Sequence, residues 1–222
     1  MPVDAILAFA LFAFVTSITP GPNNLMLLAS GVNYGLRRSV PHILGIGIGF
    51  TAMVLAVGLG LAEVFDRLPW MYSVLRWVGA AYLLYLAWSI ANSGPPAGDT
   101  DTSEVVTSAG TGAGASTGSR TVDTAVRSGP MSFWSAAAFQ WVNPKAWVMA
   151  VGAFSTYVPA HPSTLLVAGV AVLFGVINIP SVGTWALSGA ALRRALQVER
   201  TRRLFNLGMA ALLVLSLVPL LK

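Results

Sequence analysis

The sequence predicts an all-α integral membrane protein: six transmembrane helices in two inverted three-helix repeats, with helices 1, 4 and 5 interrupted by proline. Three observations carry that prediction. Hydrophobic residues fill 55% of the 222 positions and charged residues only 9%, against about 25% charged in soluble proteins. The apolar residues fall in long runs, so the bilayer is the solvent they suit. A Gly/Ser/Thr-rich stretch also divides the chain into two halves of three runs each.

The first run, Ala5–Asn33, follows Met1-Pro2-Val3-Asp4, which lacks the basic segment of a cleaved signal peptide, so it reads as a retained span. Val40–Ala62 and Pro69–Ala91 complete the first half; Met131–Val158, Ser163–Leu192 and Leu204–Leu221 form the second. Each has at least the roughly 17 residues needed to cross a hydrocarbon core. Residues 1–92 are thus the first repeat and 131–222 the second. Between them, 93–130 reads as a flexible cytoplasmic linker, typified by Gly110-Thr111-Gly112-Ala113-Gly114, which cannot bury enough surface to fold.

Charge orients the spans. Arg37 and Arg38 fall in the first loop, Arg120 and Arg127 in the third, and Arg193, Arg194, Arg200, Arg202 and Arg203 in the fifth. The opposite loops and ends carry only Arg67 and Lys222, so loops one, three and five belong in the cytoplasm and both termini outside. Because three is odd, the second half enters from the opposite face, and repeats of this kind are inverted. Pro20 lies 15 residues into the first span and Pro144 lies 13 into the fourth. Both prolines are then roughly 20 Å from their own entry faces, flanking the midplane from opposite sides.

The two proline sites carry the chemistry. In Thr19-Pro20-Gly21-Pro22-Asn23-Asn24, each proline removes an N–H and Gly21 relaxes the backbone, so carbonyls near Thr16 and Ile18 lose their helical partners. Such groups must face protein or a watery cavity. Freed carbonyls suit an ammonium, and the restarted helix N-terminus with Asn23 and Asn24 suits a carboxylate, which together match an amino-acid zwitterion. The second cluster, Gln140-Trp141-Val142-Asn143-Pro144-Lys145, adds the one charge near the middle of a span. Placing Lys145 there costs about 2.5–3.5 kcal/mol on insertion scales, so a use is expected. Candidate partners are a substrate carboxylate, the asparagine carbonyls or freed carbonyls near Gln140 and Trp141; a transported proton is a further role. Ile177-Asn178-Ile179-Pro180-Ser181 reads as a third break, adding Asn178 and Ser181 to the polar lining, with Trp185 one turn on. A proline kink used only for packing is the plainer reading of each cluster, and snorkelling the plainer reading of Lys145.

Other features read as structural. Gly45, Gly47 and Gly49 form a small-residue face for close helix packing. Arg76 snorkels, Glu63 and Asp66 are interface residues, and His42 is a lone histidine at a helix start. The absence of cysteine removes disulfide and thiol chemistry, and two histidines, His42 and His161, make a metal centre improbable. No cofactor and no nucleic-acid partner is expected; the +5 charge orients the protein instead.

At these residues the chain resembles the LysE-type amino-acid exporter family, especially its homoserine/threonine-exporter branch. The carrying segments are Ser17-Ile18-Thr19-Pro20-Gly21-Pro22-Asn23, Gly31 through Gly35, Gly79-Ala80-Ala81-Tyr82-Leu83, Asn143-Pro144-Lys145-Ala146 and Asn178-Ile179-Pro180-Ser181. The resemblance implies a secondary transporter that exports a small amino acid across a bacterial inner membrane by proton antiport, as a homodimer. It carries over Pro20, Pro22, Asn23, Asn143, Pro144 and Lys145 as site positions. Branches exporting lysine or arginine tend to place aspartates where this chain has Gly47-Ile48-Gly49-Phe50 and Ala146-Trp147-Val148-Met149. A buried cationic substrate without a countercharge is costly, so a neutral or zwitterionic amino acid is favoured. Alternatives are an exporter of another metabolite or ion, such as a heavy metal, an intramembrane enzyme, or a non-transporting scaffold. The lack of soft ligands argues against the metal, the lack of a Gly-x-Ser-x-Gly elbow against the enzyme, and the matched breaks against the scaffold.

Overall fold

In a computed structural model the described residues are 2–61, 63, 67, 68, 70–93, 129–196 and 198–218, and among them the chain is helical with no strand. Helices α1 (Val3–Ile18) and α2 (Pro22–Tyr34) form a pair bent by 55° at the first proline cluster. Helix α3 (Leu36–Ala56) continues into a π-helical turn, Val57–Leu61, and α4 spans Trp70–Ala91. A short α5 (Phe133–Phe139) passes through a 3-10 turn, Gln140–Val142, into α6 (Pro144–Tyr157). Helices α7 (Thr164–Leu192) and α8 (Glu199–Leu215) complete the described chain. Leu36–Leu61 and Thr164–Leu192 are long and apolar enough to cross a membrane, and α1 with α2 qualifies when read as one broken span. Residues 94–128 of the expected linker, Asp66 and Leu221 lie outside the described residues.

Three boundaries differ from expectation. The first loop shrinks to one residue: Gly35 turns the chain at φ 79°, a conformation that favours glycine, and α3 starts at once. Arg37 and Arg38 therefore sit in the first turn of α3. Likewise α8 begins at Glu199, so Arg200, Arg202 and Arg203 are helical, with Arg202 buried. The third correction concerns the fifth span, where no break occurs at Pro180 and α7 runs unbroken through it. A single proline removes one ladder bond, and α1, α2 and α3 pack along α7 and support its continuity. In the first span two prolines flank a glycine, and there the helix does stop.

Small residues set the spacing around α7. A side chain at Gly31 would collide with the backbone of Ala186, and one at Gly189 with the backbone of Leu28, so α2 and α7 touch main chain to main chain. Gly45 and Gly49 bring α3 equally close to α5, and Gly47 receives Ile179 of α7; the expected glycine face is a packing surface within the chain. Above the bend, Phe9, Phe50 and Phe174 form an aromatic cluster, with Phe50 and Phe174 4.8 Å apart edge to face. Helices α4 and α8 pack together through Leu83, Ala87 and Leu213.

Adding one methyl group separates packing from propensity. Alanine is preferred to glycine in a helix by about 1 kcal/mol, and at Gly183, where an added methyl would meet nothing within 4 Å beyond the adjoining backbone of its own helix, Gly183→Ala should hold or raise the melting temperature. Gly189→Ala should lower stability by about 1–3 kcal/mol, because the backbone of α2 cannot yield. Thermal melting of the two purified variants in detergent checks the contrast.

Candidate functional site

The site begins with four carbonyls. In an unbroken helix the N–H groups of residues 20 to 23 would bond to the carbonyls of Thr16, Ser17, Ile18 and Thr19. Pro20 and Pro22 have no N–H, and Gly21 is extended, with φ −179° and ψ 175°. Each stranded oxygen has found another donor. Thr19 Oγ1 donates to Thr16 O at 3.0 Å, and Asn24 Nδ2 donates to Ser17 O at 2.8 Å and to Thr19 O at 2.7 Å. Trp185 Nε1, from α7, donates to Ile18 O at 3.0 Å. Lys145 Nζ, from the other break, donates to Thr19 O at 2.7 Å, to Thr19 Oγ1 at 3.0 Å and to Pro20 O at 3.4 Å.

The second break is held by its own side chains. Pro144 cannot bond to Gln140 O, which accepts instead from Asn143 N at 3.3 Å in the 3-10 turn. Asn143 Oδ1 caps α6 by accepting from Lys145 N at 3.2 Å, and Pro144 occupies the first helical position, where no N–H is needed. Trp147 Nε1 donates to Trp141 O at 2.9 Å. Gln140, fully buried, joins the breaks directly: Asn23 Nδ2 donates to its Oε1 at 2.8 Å, and its Nε2 donates to Asn23 Oδ1 at 3.2 Å and to Ala136 O at 2.9 Å. Two interruptions 117 residues apart thus share an amide pair, and a lysine ties them a second time.

Between them lies a cleft lined by Thr16, Ser17, Gly21, Asn23 and Asn24 from the first break, and by Asn143, Lys145, Ala146 and Met149 from the second. Phe50, Asn178 and Val182 close it. Two buried oxygens on this lining, Asn24 Oδ1 and Asn178 Oδ1, accept no hydrogen bond. For Asn24 the assignment is fixed by chemistry, since its Nδ2 must face the carbonyls of Ser17 and Thr19. Asn178 Nδ2 donates to Ser17 Oγ at 3.0 Å. The space left is about 20 Å3, room for roughly one water. The cleft is narrow, with Lys145 drawn across it to the first break and Phe50 on its wall.

Of the residues singled out in the sequence, Gly21, Asn23, Asn24, Asn143, Lys145 and Asn178 line this cleft. Thr19 and Pro20 hold the lysine through their oxygens, and Pro22 and Pro144 start the helices beyond each break. Ser181 is corrected: it is buried off the cleft, and its hydroxyl bonds to Ile177 O of its own helix at 2.7 Å. Of the protein partners expected for Lys145, neither the asparagine carbonyls nor those near Gln140 and Trp141 receive its ammonium, which goes instead to Thr19 and Pro20. Thr16, Ser17, Phe50, Ala146, Met149 and Val182 were missed as lining. Ser17 and Thr16 had a weak signal, as hydroxyls one turn before a proline. The apolar residues had none, because nothing in a hydrophobic span marks which face meets a cleft.

The accounting of carbonyls predicts an unusual order of severity. Asn24→Ala leaves Ser17 O without a donor, which costs about 1–3 kcal/mol. Asn24→Asp keeps the shape but turns the donor into an acceptor facing two carbonyl oxygens, so it should destabilise at least as much. Melting curves of the two purified variants against the parent decide this; an aspartate variant as stable as the parent would refute the bonding pattern.

Comparison with known proteins identifies the family. The family model described as LysE type translocator matches residues 14–221. The cysteine/O-acetylserine efflux protein of Klebsiella pneumoniae subsp. pneumoniae is 33% identical over 218 residues, covering 96% of this chain and 95% of the relative. The proteins of the same description from Salmonella typhi and Escherichia coli (strain K12) are 33% and 32% identical over 210 residues, covering 93% of this chain and 92% of each relative. No solved structure matches the chain. With a family match spanning both breaks and nearly the whole sequence, this chain belongs to the LysE-type translocator family.

Proposed function

We propose that the protein is a secondary transporter that exports small neutral α-amino acids from a bacterial cytoplasm, and that the cleft between the two breaks is its central site. The observation that carries the reading is the constellation around Lys145: one ammonium held by carbonyls of the opposite break, beside two buried amide oxygens with no donor. A zwitterion satisfies both ends. Its ammonium donates to Asn24 Oδ1 and Asn178 Oδ1, while its carboxylate takes Lys145 away from Thr19 O. Its side chain then meets Phe50, Met149 and Val182. Among the described lining residues Lys145 is the only charged group, so a cationic amino acid would meet a like charge with no countercharge. The matched relatives are named for cysteine and O-acetylserine efflux. We therefore favour that size and polarity of substrate, with homoserine and threonine as close competitors.

Energetics are compatible with a lysine that moves. Its insertion cost of about 2.5–3.5 kcal/mol is offset in the resting state by hydrogen bonds of a charged donor, worth about 1.5–3 kcal/mol each. A substrate carboxylate offers the same ammonium an ionic acceptor, so exchange between carbonyls and carboxylate is nearly balanced. Lys145 is also our candidate for the proton carrier in antiport, since it is the only ionisable side chain among the described lining residues of the cleft.

The inverted-repeat architecture is part of the same reading. Counting α1–α2 and α5–α6 each as one broken span gives six. Much of the packing then matches under exchange of the halves: spans 1 and 5 pack as do spans 4 and 2, and 2 with 5 and 3 with 6 map onto themselves, while the contact of 1 with 2 lacks a comparable one of 4 with 5. A pseudo-two-fold axis in the membrane plane has this property, and rocking of one half against the other supplies alternating access. The distribution of arginines favours both termini outside.

Efflux from cells loaded with dipeptides of cysteine, O-acetylserine, homoserine, threonine and lysine tests the reading. The neutral amino acids should leave faster with the protein than without it, lysine should not, and Lys145→Ala should slow export at least about tenfold, a loss near 1.4 kcal/mol. Equal efflux of every amino acid with and without the protein would sink the exporter reading.

A further inference from the structure

A second cavity lies away from the cleft and shares no lining residue with it. It measures about 540 Å3, against about 20 Å3 for the cleft, and is bordered by Ser30, Asn33, His42, Tyr82, Ser89 and Ser135. Tyr34, Ser93 and Gly129 also border it, at the end of α2, just past the end of α4 and before the start of α5. Those ends adjoin the first and third loops, the basic ones, so the chamber faces the side assigned to the cytoplasm.

His42 makes this more than a gap between helices. Its side chain is 2% exposed, and neither ring nitrogen has a hydrogen-bond partner. A buried imidazole must carry at least one N–H and normally finds a partner for each nitrogen. Close by, Ser39 Oγ donates to Gly35 O at 2.9 Å, which leaves Ser30 Oγ to donate to Ser39 Oγ at 2.7 Å and keeps the lone pairs of Ser30 unused. In the chamber wall lie a buried donor and acceptor on His42 that have no partner, and an unspent acceptor on Ser30. No carboxylate, lysine or arginine is among its described lining residues, which suits a solute of no net charge. Helix α2 links the two cavities: Met26 borders the chamber, and Asn23 and Asn24 line the cleft less than one turn away.

We propose that this chamber is a second binding site, on the cytoplasmic side, that receives the neutral amino acid before it reaches the narrow cleft, with His42 and Ser30 as its recognising groups. The identity of the solute rests on the exporter reading above; the existence of the site does not. The chamber supplies what the cleft in this state lacks, which is room for a solute larger than a water.

The chain has no cysteine, so a single one can report on the chamber. Ser89→Cys, with Ser135→Cys as a second position should the first fail to fold, is labelled by a membrane-impermeant maleimide in inside-out vesicles. O-acetylserine is the probe solute because, unlike cysteine, it has no thiol to consume the reagent. It should slow labelling about tenfold at a concentration near ten times its dissociation constant. The protection should persist when Lys145→Ala is added, although export falls, and should require at least about tenfold more solute when His42→Gln is added. Unprotected labelling in a variant that still exports O-acetylserine would overturn the proposal. So would protection that disappears with Lys145→Ala, which would trace it to the cleft, or failure of both cysteines to react from the cytoplasmic side. Protection by a protein that exports no amino acid would instead keep the chamber and remove the exporter reading.

Discussion

Backbone carbonyls that lose their helical partners inside a bilayer have no water to turn to, and each left bare costs several kcal/mol. The arrangement around the first break follows from that constraint. Pro20 and Pro22 strand the oxygens of Thr16, Ser17, Ile18 and Thr19, and the donors that answer them come from four different places. Thr19 serves locally, Asn24 reaches back from the restarted helix, Trp185 arrives from α7 and Lys145 arrives from the second break. Satisfying one broken helix therefore fixes the position of α7 and of α6 against it. The close approach of α2 and α7 at Gly31 and Gly189 is what lets these side chains reach.

A second consequence is electrostatic. Lys145 spends its hydrogen bonds on neutral oxygens, with no carboxylate among the described residues of the cleft. Such bonds hold a charge in place without neutralising it, so the ammonium stays available to any solute carrying an anionic end. Asn24 Oδ1 in the first break and Asn178 Oδ1 on α7 both lack donors. The bend is thus stabilised while polar capacity is left over on the cleft lining.

Much of the site was legible in the residue types. A proline pair around a glycine, followed by two asparagines, announces a broken helix in any apolar span, and one lysine in a run without other charges announces a site. Sequence and structure part where neighbouring helices decide the outcome. Pro180 resembles the other breaks as a string, with Asn178 and Ser181 beside it, yet α7 stays whole because three helices pack against it and only one N–H is missing. Ser181 then turns to its own backbone, whereas Asn178, one turn back, turns to Ser17. His42 read as an unremarkable lone histidine, and nothing local shows that its ring would be buried beside a chamber without a partner.

Periodicity, proline chemistry and charge placement are local properties, and they were enough to establish a helical membrane chain, the positions of its two true interruptions and the residues that stand in them. Which donor meets which stranded carbonyl is a matter of contacts across more than a hundred residues, as between Thr19 and Lys145 or Ile18 and Trp185. Those pairings depend on how closely helices approach, which glycines on facing helices set jointly and no single segment encodes. The same holds for the narrow cleft and the roomy chamber, since a cavity is the space several elements fail to fill together.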